Sequence, residues 1–183
     1  MTLRDVAYHE AGHGVAVVWA WRTAEWLPKP PPSQVVRHVE ITDSSGSCGG
    51  ANIYSCAWSE DRLTPRYRPL MEAQIGIHLS GGIAEALARG ARSEVLAFAI
   101  RHCNMGTDLT RARAVLGDLR TLTGVRFELQ TFAMRTRGLL EAHWGAVQAL
   151  AAALFTERRI EGDEIARIID DAGSTPPPPI DSP

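Results

Sequence analysis

The chain has 183 residues, 45% of them hydrophobic, enough for one compact core and too few for two ordinary domains with a linker. Nineteen basic against twenty-one acidic residues leave a formal charge of -2, so neither nucleic acid nor an anionic membrane is expected as a partner. Three cysteines, Cys48, Cys56 and Cys103, in no metal-site spacing exclude a disulfide framework and a cysteine zinc site, and suit a reducing, cytoplasmic compartment.

The first expected element is a helix from Leu3 to about Ala20. Leu3, Val6, Ala7, Ala11, Gly14 and Val18 recur at three- and four-residue intervals behind Thr2, a suitable N-cap. Met1 to Asp5 leave no room for the charged and apolar regions of a signal peptide. The longest apolar runs, Val15 to Trp21 and Ala149 to Phe155, fall well short of the ~20 residues of a membrane-spanning helix. Pro28-Lys29-Pro30-Pro31-Pro32 cannot continue a helix and is expected to form a semi-rigid surface connection. Val35, Val36, Val39 and Ile41 then suggest a strand, Ser44 to Gly50 a turn, and Ala51 to Cys56 the second strand of a hairpin.

Helical spacing returns from about Arg68 to Arg89 through Leu70, Ile75, Leu79, Ile83 and Leu87, with Gly90 placed to stop it. Gly106-Thr107 precedes a shorter helix with Asp108 in its first turn, where negative charge suits the dipole. A long helical pattern runs from about Val125 to Phe155, and Glu161-Gly162-Asp163 introduces a last helix carrying Ile165, Ile168 and Ile169. The expected fold is mainly α with a small β-hairpin or sheet. Residues 1–172 form a single domain, and 173–183 a Pro-rich disordered tail.

His9-Glu10-Ala11-Gly12-His13 is an HExxH motif on the first helix. Four residues at 3.6 per turn put the two imidazoles on one face, one turn apart, which is chelating geometry. Neutral imidazole suits Zn2+, and a catalytic zinc takes three protein ligands with a fourth position left to water. Glu10 lies roughly 100° around the helix from His9, close enough to act as general base without ligating the metal. Chance placement would produce HExxH in roughly one such sequence in a hundred. The motif does not identify the third ligand. Without further information Asp108 is a helix-start carboxylate that pairs with the dipole or with Arg111, and Glu85 is one half of an exposed i,i+4 pair with Arg89.

Three blocks in order, Tyr8-His9-Glu10-Ala11-Gly12-His13, Leu79-Ser80-Gly81-Gly82-Ile83-Ala84-Glu85-Ala86-Leu87 and Gly106-Thr107-Asp108-Leu109-Thr110-Arg111-Ala112, resemble the peptidase domain of FtsH-type ATP-dependent zinc metalloproteases. Leu150 to Ile169 is similar to that family's closing helix, acidic turn and final helix, so the resemblance covers most of residues 3–171. It implies a zinc metalloendopeptidase with His9, His13 and Asp108 as metal ligands, Glu10 as base and Glu85 behind the histidines. The chain departs from the family at Gly82, usually arginine, at Ala86, usually a second glutamate, and at Thr107, usually asparagine. The interval from His13 to Asp108 is also longer, with extra sequence around Trp21 to Gln34 and Ala91 to Met105.

No GxxxxGK[ST] occurs in the 183 residues, so the family's ATP dependence is not expected of this chain. The expected substrate is a peptide or unfolded protein, with a separate ATPase in trans as the candidate partner. The alternative is a non-catalytic module of the same shape that binds peptides or such an ATPase. His38, His78, His102 and His143 have no HxH or HxxxH partner and are expected to be surface or core residues; His102 could approach the metal if its loop folds back. Trp19, Trp21 and Trp26 are expected to pack rather than to face a ligand.

Overall fold

The computed structural model describes residues 2–23, 36–42, 46–49 and 68–173. The chain opens with α1 (Leu3–Thr23). Its start is closed by a reciprocal cap: the Asp5 N–H donates to Thr2 Oγ1 at 3.2 Å, and the Thr2 N–H to Asp5 Oδ2 at 2.7 Å. From Val6 to Ala16 nearly every side chain is buried, which marks α1 as a central helix rather than an amphipathic cover.

Strands β1 (His38–Ile41) and β2 (Gly46–Gly49) follow, and β3 (Arg159–Glu161) joins them much later in the chain. The sheet is antiparallel in the order β2-β1-β3, with Val39 opposite Cys48 on one side and Ile160 on the other. Val39, Ile41 and Ile160 are buried, while Arg159 crosses the outer face to Glu40 and Glu161, the alternation of a one-sided sheet. The expected hairpin is present with a corrected boundary. Its second strand is Gly46–Gly49, inside the stretch read as a turn, because backbone pairing to β1 overrides the weak strand preference of glycine. The proposed strand at 51–56, the proline-rich connection at 28–32, Trp26 and the tail at 175–183 lie outside the described residues.

The remaining helices are α2 (Arg68–Ala88), α3 (Val95–His102), α4 (Gly106–Thr123), α5 (Leu129–Ala142), α6 (Trp144–Glu157) and α7 (Gly162–Gly173). Gly90 ends α2 as expected, at φ 85. The Ala91 N–H bonds to the Ala86 carbonyl and the Gly90 N–H to that of Leu87, a Schellman closure that left-handed glycine permits. The pattern from Val125 to Phe155 is two helices rather than one. His143 leaves helical geometry between α5 and α6 and stacks on Trp19, ring centroids 3.9 Å apart. Trp19 and Trp21 both pack against the core, as expected of them. Helix α3 lies in the extra sequence between Ala91 and Met105, and β3 precedes the last helix where no strand was expected.

Helices α1 and α2 are the paired centre of the fold, with α4 and α5 against α2 and with α6 and the sheet against α1. They approach closely because a Cβ on Gly12 would lie 2.6 Å from both Ala84 Cβ and the Ser80 carbonyl oxygen. Side chains at this crossing would force the axes apart. Among the described residues no helix is long and apolar enough to cross a membrane.

Candidate metal centre

The α1–α2 crossing sets His9 and His13 against the backbone of α2. The His13 Nδ1–H donates to the Ile77 carbonyl at 2.8 Å. A carbonyl only accepts, so this contact puts the proton on Nδ1 and leaves Nε2 as a lone pair in the neutral ring. The Ser80 hydroxyl donates to the same carbonyl at 2.7 Å and lies 3.3 Å from His13 Nδ1. His9 Nδ1 faces Glu85 Oε2 at 3.4 Å, an ion contact rather than a well-formed hydrogen bond, and its Nε2 points the same way as that of His13.

Asp108 arrives from the first turn of α4. Its Oδ2 lies 3.1 Å from His9 Nε2 and 3.3 Å from His13 Nε2, and the two Nε2 atoms are 3.2 Å apart. Asp108 therefore turns toward the histidines, in place of the pairing with Arg111 that helix spacing alone would allow. Three acceptors meet in a triangle whose outer nitrogens are already committed. Without a proton or a cation between them these lone pairs repel. Ligands at 2.0–2.1 Å from a tetrahedral zinc lie about 3.3 Å from one another, close to the separations found here. His9, His13 and Asp108 are the one group of three or more such side chains among the described residues able to hold a metal ion.

Gly81 completes the cradle. A Cβ there would stand 2.5 Å from His13 Nε2 and 2.6 Å from His9 Nε2, inside the space those nitrogens face. In the sequence Gly81 stands out only as part of the second motif block. Its signal was a glycine pair within a helix, where the energetic penalty of about 1 kcal/mol demands a packing or functional reason.

Glu10 is 6% exposed, and among the described residues no donor pairs with its carboxylate. Burial raises its pKa, the nearby His13 and His9 lower it, Asp108 raises it, and the net direction is upward. A carboxylate tuned that way is a better base near neutral pH. Burial alone would lower the pKa of the metal-free His9; the carboxylates of Asp108 and Glu85 outweigh it and push it up to about 9. His13 and His9 together outweigh the burial of Asp108 and hold its carboxyl well below the usual range.

Glu85 is completely buried. It does pair with Arg89, at 2.7 Å, but the pair is not the exposed one that spacing suggests, because Glu85 also faces His9 and accepts the Asn104 N–H at 3.2 Å. The neighbouring Cys103 thiol is pushed up to about 12 by burial and by the Glu85 charge, so it stays protonated and unreactive.

The other histidines divide. His102 is exposed, tilts against Phe98 at 4.7 Å and stays outside the cluster. His38 lies on β1 near Glu40, and His143 is the ring stacked on Trp19. His78 is half-buried one turn before Gly81, and burial, the charges of His13 and Arg111, and an opposing effect of Asp108 bring its pKa down to about 4. It is therefore a neutral ring at the edge of the site. Comparison with known proteins yields no matching family model and no matching curated protein.

Proposed function

We propose that this chain is a zinc-dependent metalloendopeptidase that hydrolyses peptide bonds in proteins or unfolded polypeptides. The observation that carries the reading is the triangle of three acceptors at tetrahedral spacing, with a buried carboxylate, unpaired among the described residues, one residue along from His9. A structural metal site has no use for Glu10, whereas hydrolysis requires a base beside the metal. The motif resemblance to the FtsH-type peptidase domain points the same way.

His9, His13 and Asp108 would hold the ion, and Zn2+ fits two imidazoles and one carboxylate. When bound, it would supply Lewis acidity, polarising a carbonyl and bringing the pKa of a water toward neutrality. Glu10 takes the proton from the attacking water and delivers it to the departing amine, so the carboxylate is regenerated when the C–N bond has broken. Ser80 and the Ile77 carbonyl hold His13 in the tautomer that presents Nε2, and Glu85 faces the outer nitrogen of His9.

The 183 residues contain no phosphate-binding loop, so unaided cleavage should favour flexible or unfolded chains. A separate ATPase would supply unfolding for stable substrates. Metal analysis alongside casein digestion tests the reading. Wild type should carry about one zinc per chain and cleave, while Glu10→Gln should keep zinc and lose cleavage by about 10²–10⁴. A zinc-loaded wild type that leaves casein and unfolded polypeptides intact would refute the peptidase assignment and leave the binding-module alternative standing.

A further inference from the structure

We propose that Arg89 is a positioning residue of the metal site, acting through the buried Glu85 to hold both His9 and the turn that carries Asp108. This rests on the metal-site reading above. It assigns a role to a residue one helical turn beyond Glu85, immediately after α2, that makes no contact with the three candidate ligands.

Glu85 is linked to both sides of the site. Its Oε2 faces His9 Nδ1 at 3.4 Å and accepts the N–H of Asn104, four residues before Asp108, at 3.2 Å. A completely buried carboxylate is held in place only if a cation and hydrogen-bond donors compensate its lost hydration. Arg89 Nη2, 2.7 Å from Oε1, is the cation that does so.

Arg89 is itself fixed on three sides. Its Nε donates to Asp5 Oδ1 at 3.1 Å, and Nη2 lies 2.9 Å from Asp5 Oδ2. Its Nη1 donates to the His102 carbonyl at 2.8 Å, at the end of α3. Asp5 is held in turn by the reciprocal cap with Thr2. The Schellman closure at Gly90 fixes the Arg89 backbone. One guanidinium thus ties the start of α1, which carries His9 and His13, to the end of α2 and to the end of α3, immediately before the turn leading to Asp108. This use of Nε and both terminal nitrogens requires the planar fork of arginine; a lysine ammonium can replace its charge but not all three contacts.

The test is a double-mutant cycle on the full chain, read as zinc affinity by competition with a chromophoric chelator. The Co2+ absorption spectrum of each variant serves as a second readout of ligand geometry. Arg89→Met should weaken zinc about tenfold to a hundredfold, the range typical of groups that orient metal ligands, and Arg89→Lys should fall between it and wild type. In a Glu85→Gln background, adding Arg89→Met should cost less than threefold further, because the group through which Arg89 acts is already neutral. Equal losses in the two backgrounds would overturn the inference, as would wild-type affinity and an unchanged Co2+ spectrum in Arg89→Met. Should Arg89→Met fail to fold, Arg89→Lys decides, and wild-type affinity there overturns the proposal. Wild type that binds no zinc would instead defeat the metal-site reading on which the inference stands.

Discussion

Replacing Gly81 by alanine separates the needs of the helix from those of the site. In a helix interior, glycine to alanine ordinarily stabilises by about 1 kcal/mol. At Gly81 the added carbon would sit 2.5 Å from His13 Nε2 and 2.6 Å from His9 Nε2, where an ordinary contact needs about 3.5 Å. The imidazoles and α2 must therefore part by roughly 1 Å, and overpacking of this kind costs about 1–3 kcal/mol. The metal-free variant should come out about 0–2 kcal/mol less stable than wild type by urea denaturation. Metal binding should suffer far more, since ligand positions must hold within about 0.2 Å, and a loss of zinc affinity greater than a hundredfold is expected. Gly117→Ala and Gly138→Ala are the controls. Both glycines are exposed in helix interiors, with nothing within 4 Å of the added carbon, and each variant should gain about 0.5–1 kcal/mol with zinc affinity unchanged. Zinc binding within tenfold of wild type in Gly81→Ala would refute the cradle.

Asp108→Asn preserves volume but removes the anionic ligand, so zinc affinity should fall by at least about a hundredfold; full occupancy in a competition titration would exclude Asp108 as a ligand. In the metal-free protein the raised pKa of His9 contributes stability that is fully present below 6.5 and lost as pH rises through about 9. The depressed value of Asp108 has the opposite sign, contributing above the ordinary carboxylate range and losing that contribution in acid. Chelated protein should therefore lose stability between pH 6.5 and about 9 in thermal melts, while the zinc-loaded form, with His9 held neutral, should not. Zinc binding near neutral pH should accordingly release about one proton from His9, measurable by calorimetry in buffers of different ionisation heat; release of none would contradict the assigned protonation.

The histidine pair was legible because the i,i+4 relation is a property of the helix alone, and α1 formed where its apolar spacing and Thr2 cap required. Asp108 was not legible from spacing. Ninety-five residues separate it from His13, and only the position of its motif singled it out. Glu85 and Arg89 could be paired from sequence, but their burial could not be foreseen, because it depends on the turn at Asn104 and on α3, in a segment read as extra sequence. Strand β3 is three residues long, too short for any periodicity to register. It is defined by partners more than a hundred residues away. The break at His143, whose ring stacks on Trp19 of α1, is likewise not marked by any proline.

Several departures from ordinary folding rules fall together. Gly12 and Gly81 inside helices, a buried carboxylate at Glu10 that is unpaired among the described residues, a second buried carboxylate at Glu85 and three acceptors facing one another all lie at the α1–α2 crossing. Apolar residues of matching volume would pack that crossing at lower cost, since buried charges seldom add net stability. Elsewhere the described core follows the apolar pattern, with Ile75, Leu79, Leu150 and Ile165 fully buried. One of the features at the crossing, the converging lone pairs, would be relieved by arrival of a cation. Glu10 is not relieved by it, and the peptidase reading gives this carboxylate a use that metal binding alone does not.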